Sequence, residues 1–318
     1  MPCPEMDRTE GSSVSTDISN KTGDLMRGAA IASLAVSVLL VSLKAFAYFA
    51  SHSVAMLASM ADSALDLFTS SLNLFAIRTA LTPADAEHRF GHGKAEPLAG
   101  LAQAAFIAAS ALFLVIQAVQ RILDPQPVEN SGQALAVMAV SIAFAIALIV
   151  YQRRVVRKTH SLAVHADAMH YAADLATNIG VVVALVLASY LGWQLADPVI
   201  AILVALVMLA SALGVGRQSL DQLMDHELPD ADRARIARIA RDHPAVKNVH
   251  ELKTRAAGLS TFIQIHLEMD AAMRLTEAHA VSDAVEKAIQ AAYPGAEIII
   301  HQDPEGFEGG GLEREHNP

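Results

Sequence analysis

Six long apolar runs fill the first two thirds of the chain, and short polar breaks separate them. They cover about residues 26–50, 53–80, 97–123, 132–152, 161–191 and 195–216. Each run approaches or exceeds the roughly 20 residues that a helix needs to cross a bilayer. Lipid offers no hydrogen-bond partner to the backbone, so a spanning segment must pair its own N–H and C=O groups. All six runs are therefore predicted to be transmembrane helices.

The pattern changes after about residue 226, where polar and apolar residues alternate over shorter distances. An amphipathic helix is predicted first, then two strands, a second helix capped by Thr276 or a neighbour, and a third strand. These elements lie at about 230–243, 247–256, 260–270, 275–293 and 296–303. The order α-β-β-α-β indicates a small α+β sandwich.

The chain thus divides into four parts. We expect a disordered cytoplasmic tail, a six-helix transmembrane domain, a cytoplasmic α+β domain and a second disordered tail. Their bounds are residues 1–24, 25–217, 218–304 and 305–318.

Basic residues set the expected orientation, because positive charge is retained on the cytoplasmic side of a membrane. They crowd the polar break at 153–161, between the fourth and fifth runs. With six spans, this places both termini in the cytoplasm and predicts a multi-pass membrane protein. Lys44, near the end of the first run, is expected to extend its ammonium group to the outer interface.

Composition narrows the class of protein. The chain has 318 residues, of which 53% are hydrophobic, and a formal net charge of −10. The mean hydropathy of +0.36 is too high for an ordinary soluble enzyme of this length. The negative charge argues against a nucleic acid partner. The single cysteine, Cys3, excludes a disulfide within the chain.

Two pairs of chemically matched residues lie inside the second and fifth runs. Asp62 and Asp66 are four residues apart, as are His170 and Asp174, so each pair shares one helix face. A carboxylate at a membrane helix centre costs roughly 2.5–3.5 kcal/mol, which makes such residues candidates for function. Three carboxylates and one imidazole form a tetrahedral ligand set that suits zinc. The alternative is a buried polar network that only holds helices together.

These two segments also resemble each other. Residues 52–69 align with residues 160–177, which predicts an inverted repeat with a binding site near the bilayer midplane. The chain is accordingly interpreted as a metal-ion transporter.

Two further groups of residues have metal-ligand chemistry. The second connection contains Asp85, His88 and His92, although a solvated loop with clustered histidines is the alternative. The C-terminal domain contains His250, His266, His279, His301 and Asp303, which favours a structural or regulatory metal site over isolated core histidines.

The motifs DSALD, HYAAD, PADAEHRFGHGKAE, HLEMD and IIIHQDP resemble those of the cation diffusion facilitator family, in particular its bacterial zinc and ferrous-iron efflux pumps. The resemblance covers about residues 25–304. It implies a homodimer with six membrane helices per chain and a metallochaperone-like cytoplasmic domain. One departure is His52, where this branch usually has glycine.

The resemblance also implies roles for the residues above. Asp62, Asp66, His170 and Asp174 would form the transport site, and Asp85, His88 and His92 would form a loop site. The five C-terminal residues would form a binuclear site at the dimer contact. Lys94 would pair with Asp225 as an interdomain salt bridge, and Met169 would take the place of an apolar gate residue.

The expected function is export of Zn²⁺, and also of Cd²⁺ or Fe²⁺, in exchange for protons by alternating access. The metal is substrate and regulator, and no organic cofactor is expected. A membrane-embedded zinc metalloenzyme is one alternative, but four protein ligands would leave no position for an activated water. A membrane-anchored metal sensor is the other.

Overall fold

The computed structural model describes residues 9–51, 54–123, 132–191 and 195–306. Six long helices precede residue 225, and each coincides with one of the apolar runs. They are α1 (Thr9–Ser51), α2 (Val54–Ala80), α3 (Ala95–Leu123), α4 (Gly132–Thr159), α5 (Leu162–Leu191) and α6 (Ala196–Leu223). His52 and residues 307–318 of the expected C-terminal tail lie outside the described part of the chain.

Four of these helices are long and apolar enough to cross a bilayer. The spans run over Lys21–Phe49, Ala95–Leu123, Ala136–Thr159 and Pro198–Leu223, within α1, α3, α4 and α6. The other two helices, α2 and α5, carry the acidic residues Asp62, Asp66, Asp167 and Asp174. The six helices together form a helical transmembrane domain.

Three helices extend beyond the expected boundaries. Helix α1 begins at Thr9, so the leader expected to be disordered through residue 24 is helical from Thr9 onward. Helix α4 continues through the basic break to Thr159, because arginine and lysine are good helix formers. It ends where His160 adopts a positive φ of 52°, typical of a helix C-terminus. Helix α6 extends to Leu223, six residues beyond the expected end of the domain.

Helices α3, α5 and α6 approach one another through small residues, as is common in membranes. A Cβ atom at Gly100 of α3 would lie 2.6 Å from Ser219 Oγ of α6. A Cβ atom at Gly180 of α5 would lie 3.0 Å from Ile200 Cγ2 of α6. The close approach packs the face of α5 that carries Met169 and Ala173 against α3 and α6.

The C-terminal region folds as a separate α/β unit in the predicted order. It comprises α7 (Asp230–Arg241), β1 (Asn248–Ala257), β2 (Ser260–Met269), α8 (Leu275–Ala292) and β3 (Glu297–Pro304). The strand order is β1-β2-β3, with β2 and β3 parallel. Its core includes Ile236, Ile263, Ile265, Leu267 and Ile289, all fully buried. The predicted cap of α8 is wrong: Arg274 takes that position, and its N–H donates to Glu277 Oε2.

The register of the parallel pair decides which side chains meet. His266 lies opposite His301, and Glu268 lies opposite Asp303. Side chains two residues apart on a strand point to the same face. All four residues are therefore placed on one face of the sheet.

Candidate metal centres

The first cluster joins helices α2 and α5 inside the transmembrane domain. His170 Nε2 lies 3.2 Å from Asp66 Oδ1 and 3.6 Å from Asp174 Oδ2. One ligand atom from each of the three residues lies within 4.8 Å of the others. The side chain of His170 is 8% exposed and that of Asp66 is 13% exposed. Asp66 lies near the middle of α2, so the cluster is placed at depth in the helical domain.

These separations match the geometry of a bound metal. Zinc bonds of about 2.0–2.1 Å in a tetrahedron place the ligand atoms about 3.3–3.4 Å apart. The two separations from His170 lie on either side of that value. The cluster therefore needs only small movements to bind a divalent cation.

The fourth predicted ligand is not part of this cluster. Asp62 lies one helical turn before Asp66, and its side chain is exposed. The structure thus brings together three of the four residues expected at the transport site, and the role of Asp62 there stays a prediction.

Lys44 does not extend toward an interface as expected. It is buried, and its Nζ donates to Ser63 Oγ at 2.6 Å and to the carbonyl of Ser59 at 3.2 Å. Its charge acts on both Asp62 and Asp174. The prediction was wrong because two oxygens of α2 satisfy the ammonium group inside the helical domain, which sequence position alone does not reveal.

Buried polar groups surround the intramembrane cluster. Gln152 of α4 donates through Nε2 to Asp167 Oδ2 at 2.6 Å, one turn of α5 before His170. Tyr171, the residue after His170, reaches three serine hydroxyls of α1 and α2. These contacts fix the rotation of α5 and hence the direction of the His170 side chain.

The second cluster lies in the connection between α2 and α3. Asp85 Oδ1 is 3.4 Å from His88 Nδ1, and Asp85 Oδ2 is 3.4 Å from His92 Nε2. Asp85 Oδ1 also accepts the backbone N–H groups of Glu87 and His88, which folds the loop around the carboxylate. The hydrogen bond from His88 N–H lowers the pKa of Asp85, so its carboxylate stays ionised. A local turn thus holds all three predicted loop ligands together.

The third cluster lies on the sheet of the C-terminal unit. Asp303 Oδ2 is 2.8 Å from His266 Nδ1 and 3.3 Å from His250 Nε2. Asp303 Oδ1 is 3.2 Å from His301 Nε2. One nearly buried carboxylate therefore contacts three imidazoles, an arrangement in which its two oxygens can bind two metal ions.

His279 is not in this cluster. It lies on α8, where its Nε2 is 3.8 Å from Asp283 Oδ1 and its side chain is 70% exposed. Within one chain, four of the five predicted C-terminal ligands meet and His279 does not. The participation of His279 in a metal site stays a prediction.

Lys94 and Asp225 each make a contact within their own part of the chain. Lys94 Nζ donates to the carbonyl of Leu223 at 3.4 Å, and Asp225 Oδ1 accepts from Arg255 Nη1 at 3.2 Å. The salt bridge between Lys94 and Asp225 stays a prediction.

Sequence reasoning missed two glutamates beside the C-terminal cluster. Glu268 Oε1 is 3.1 Å from His250 Nδ1, and Glu251 Oε2 is 3.7 Å from His266 Nε2. The two-residue step from His266 to Glu268 was a usable signal, because it places both side chains on one face of a strand. Glu251 gave no such signal: it follows His250 directly and reaches the site through an unusual positive φ of 45°.

Comparisons with known proteins find matches along nearly the whole chain. The family model of the cation efflux transmembrane domain matches residues 30–224, and that of the cation efflux protein cytoplasmic domain matches residues 228–305. The cation-efflux pumps FieF of Salmonella typhimurium and Klebsiella pneumoniae are each 44% identical over 282 residues. Each alignment covers 89% of this chain and 94% of the relative.

Among solved structures, the Zn form of CzrB is 35% identical to this chain in the aligned region. The alignment covers 26% of this chain and 96% of the CzrB chain, with a TM-score of 0.25. The two family matches and the 44% identity over most of the sequence carry the assignment. This chain is a membrane protein that belongs to the cation diffusion facilitator family of cation efflux transporters.

Proposed function

We propose that this protein exports Zn²⁺ from the cytoplasm in exchange for protons, with Asp66, His170 and Asp174 as the core of the transport site. The observation that supports this proposal is their convergence on one point between α2 and α5, where ligand atoms lie 3.2 and 3.6 Å apart. Asp62, one turn along α2, would complete the tetrahedron after a small rearrangement. Relatives at 44% identity are named as cation-efflux pumps.

The chemistry of the ligands favours a particular class of cation. Two or three carboxylates and one imidazole suit Zn²⁺ and Cd²⁺ in a four-coordinate site, and also accept Fe²⁺. Mg²⁺ and Ca²⁺ prefer six or more oxygen ligands, including water, which a small site with a histidine does not supply. We therefore expect transition-metal cations to be transported and the alkaline-earth cations to be excluded.

Protons are the natural counter-substrate because they compete with the metal for the same atoms. Metal binding requires ionised carboxylates and a neutral imidazole, and a free imidazole titrates near pH 6.5. A proton supplies about 1.36 kcal/mol per unit of pH gradient. Each proton that enters also gains about 2.3 kcal/mol per 100 mV of membrane potential, whereas each exported Zn²⁺ costs about twice that amount, so with two protons per zinc the pH gradient is the net driving force. One or two protons can thus change metal affinity between the two faces by orders of magnitude.

Orientation and assembly follow from the charge pattern and the family. We infer that both termini lie in the cytoplasm of a bacterium, with the helices in its inner membrane, and that the functional unit is a homodimer. The matched cytoplasmic domain would bind metal through His250, His266, His301 and Asp303. His279 would join this binuclear site from a second copy. Metal binding there would regulate transport.

Reconstitution into liposomes tests the proposed transport. Purified protein, with a zinc-sensitive dye on the trans side, should move Zn²⁺ when a pH gradient is imposed, and Asp66→Ala should abolish this flux. Ser71→Ala is the matched control, because Ser71 lies on the same helix and its exposed hydroxyl donates to the carbonyl of Leu67 within that helix. This control should transport at the wild-type rate.

Three results would contradict the proposal. The first is wild-type protein that moves no zinc under any gradient. The second is Asp66→Ala protein that transports normally. The third is zinc flux that leaves the proton gradient unchanged, which would remove the antiport step while keeping the metal site.

A further inference from the structure

A cavity of about 400 Å³ opens between α5 and α6, apart from the three clusters described above. His165 and Met169 of α5 line one wall. The other wall is lined by polar residues of α6 that include Ser211, Arg217, Gln218 and Asp221. Such a cavity is large enough to hold a hydrated cation.

The cavity wall includes Met169, the residue that precedes a transport ligand on α5. His165 and Met169 are four residues apart and share one face of α5. Met169 immediately precedes His170, and it packs against Ala166 and Val215. Met169 therefore belongs to the cavity wall and is next to a transport ligand along α5.

Two groups in the cavity have the chemistry of metal ligands. An imidazole nitrogen and a carboxylate oxygen, from His165 and Asp221, are both standard ligands of zinc. Each side chain is partly buried. Within the part of the chain that the structure describes, neither side chain has a hydrogen-bond or ion-pair partner. The cavity thus offers two unsatisfied ligands on opposing helices.

The surrounding charges indicate weak rather than tight binding. Arg217 lines the same cavity, and the charge of Arg153 on α4 acts on His165. Two protein ligands also leave the remaining coordination positions to water. A site that passes its cation onward needs these properties, because a tightly held ion would not leave.

We propose that His165 and Asp221 form a loading site, which takes up a partly hydrated divalent transition-metal cation from the cytoplasm before it passes Met169 to Asp66, His170 and Asp174. This inference rests on the proposed transport function. His165 lies in the first turn of α5, which directly follows the basic end of α4, and Asp221 lies in the last turn of α6, which leads into the C-terminal domain. The charge pattern places both of these helix ends on the cytoplasmic side.

Transport kinetics give the first test. His165→Ala and Asp221→Asn should each raise the KM for zinc about three- to tenfold on the cytoplasmic face, with the maximal rate changed less than twofold, because uptake is weakened and the later step is intact. His226→Ala is the control, since it removes an exposed histidine outside the cavity and the clusters. It should leave both parameters unchanged.

Thiol protection gives a second test that does not depend on transport. Cys3 is the only cysteine, so Cys3→Ser combined with His165→Cys yields a protein with one thiol in the cavity. Cd²⁺ should slow its alkylation by a maleimide several-fold. Adding Asp221→Asn should abolish that protection, while the reaction without metal proceeds at the same rate.

The outcomes separate the loading site from transport itself. If wild-type protein carries zinc and Asp66→Ala does not, but His165→Ala keeps the wild-type KM and Cd²⁺ gives no protection, the loading site is refuted and transport stands. If wild-type protein carries no zinc, transport is refuted, and protection of the introduced thiol still reports on the cavity.

Discussion

At the scale of single residues, the Tyr171 hydroxyl holds three helices together beside the metal cluster. It lies 2.6 Å from Ser37 Oγ of α1 and 3.1 Å from Ser70 Oγ of α2. Ser33 Oγ of α1 lies 3.0 Å from Ser70 Oγ. All four side chains are buried, so none of these hydroxyls can exchange its partners for bulk water. Because Tyr171 follows His170, this network also restrains the backbone of a proposed ligand.

Tyr171→Phe should therefore lower the free energy of unfolding in detergent by about 1–2 kcal/mol, the usual cost of leaving buried hydroxyl groups without a partner. Denaturant titration followed by helical circular dichroism measures the change. Tyr151→Phe is the matched control, because Tyr151 is exposed on α4 and should tolerate the loss of its hydroxyl. Equal effects of both substitutions would show that the buried network contributes nothing to stability.

Single residues also show where sequence reasoning reaches its limit. Asp66, His170 and Asp174 could be proposed as ligands because ionisable groups four residues apart in apolar runs are costly and rarely accidental, and the structure places them together. The burial of Lys44 could not, since it depends on two oxygens of another helix. The same holds for Glu251, whose position depends on a positive φ that the local sequence does not predict. What a residue does across helices or strands requires the tertiary structure.

At the scale of whole elements, Glu96 connects the beginnings of α3 and α5. Its carboxylate is buried, and Oε1 accepts hydrogen bonds from Ser161 Oγ at 2.5 Å and from the backbone N–H of Ala163 at 3.2 Å. Ser161 Oγ also accepts the N–H of Val164, so it caps α5. A negative charge at this end of a helix is favourable, because the first N–H groups point toward it. Glu96 thus anchors the helix that carries His170 and Asp174.

Glu96→Ala should destabilise the protein by about 1–3 kcal/mol, because the Ser161 hydroxyl and the Ala163 N–H lose a buried acceptor. It should also lower zinc flux, since α5 loses its anchor. Glu96→Gln keeps an oxygen acceptor of nearly the same shape and should retain most of the stability and flux. Thermal unfolding in detergent and the liposome assay measure the two effects. If Glu96→Gln lowers the thermal stability and the zinc flux as much as Glu96→Ala does, the role of Glu96 is not that of a hydrogen-bond acceptor.

The elements themselves were largely predictable, and their ends were not. Length and hydropathy located the six long helices, and alternation located the three strands, because burial of apolar surface dominates both patterns. The end of α4 was misplaced since arginine and lysine are compatible with a helix, and the break comes instead from the backbone conformation of His160. The start of α1 was misplaced because a polar segment that continues a helix resembles a disordered tail in composition.

At the scale of the whole molecule, separate groups of side chains with metal-ligand chemistry lie in the transmembrane domain and in the C-terminal unit. Each cluster is complete enough within its own fold to hold three ligand atoms within 4.8 Å. The two should therefore bind metal independently, even where transport and regulation are coupled. Asp66 and Asp303 are suitable single residues for separating them, since each contacts a histidine ligand at the centre of its cluster.

Asp303→Ala should lower the zinc retained per chain after desalting by about one ion or more, because one carboxylate serves three imidazoles. It should leave measurable flux at saturating zinc, since the intramembrane ligands are intact. Asp66→Ala should show the reverse, with flux abolished and the C-terminal metal retained. Elemental analysis of the purified protein, together with the liposome assay, measures both quantities.

His279→Ala completes this comparison, because His279 lies outside the cluster within one chain. If a second copy brings it to the binuclear site, the substitution should reduce the retained zinc only at protein concentrations where dimers form. Elemental analysis paired with light scattering over a dilution series tests this dependence. Loss of zinc at every concentration would instead place His279 in a site of its own chain, and no loss at any concentration would remove it from the ligand set.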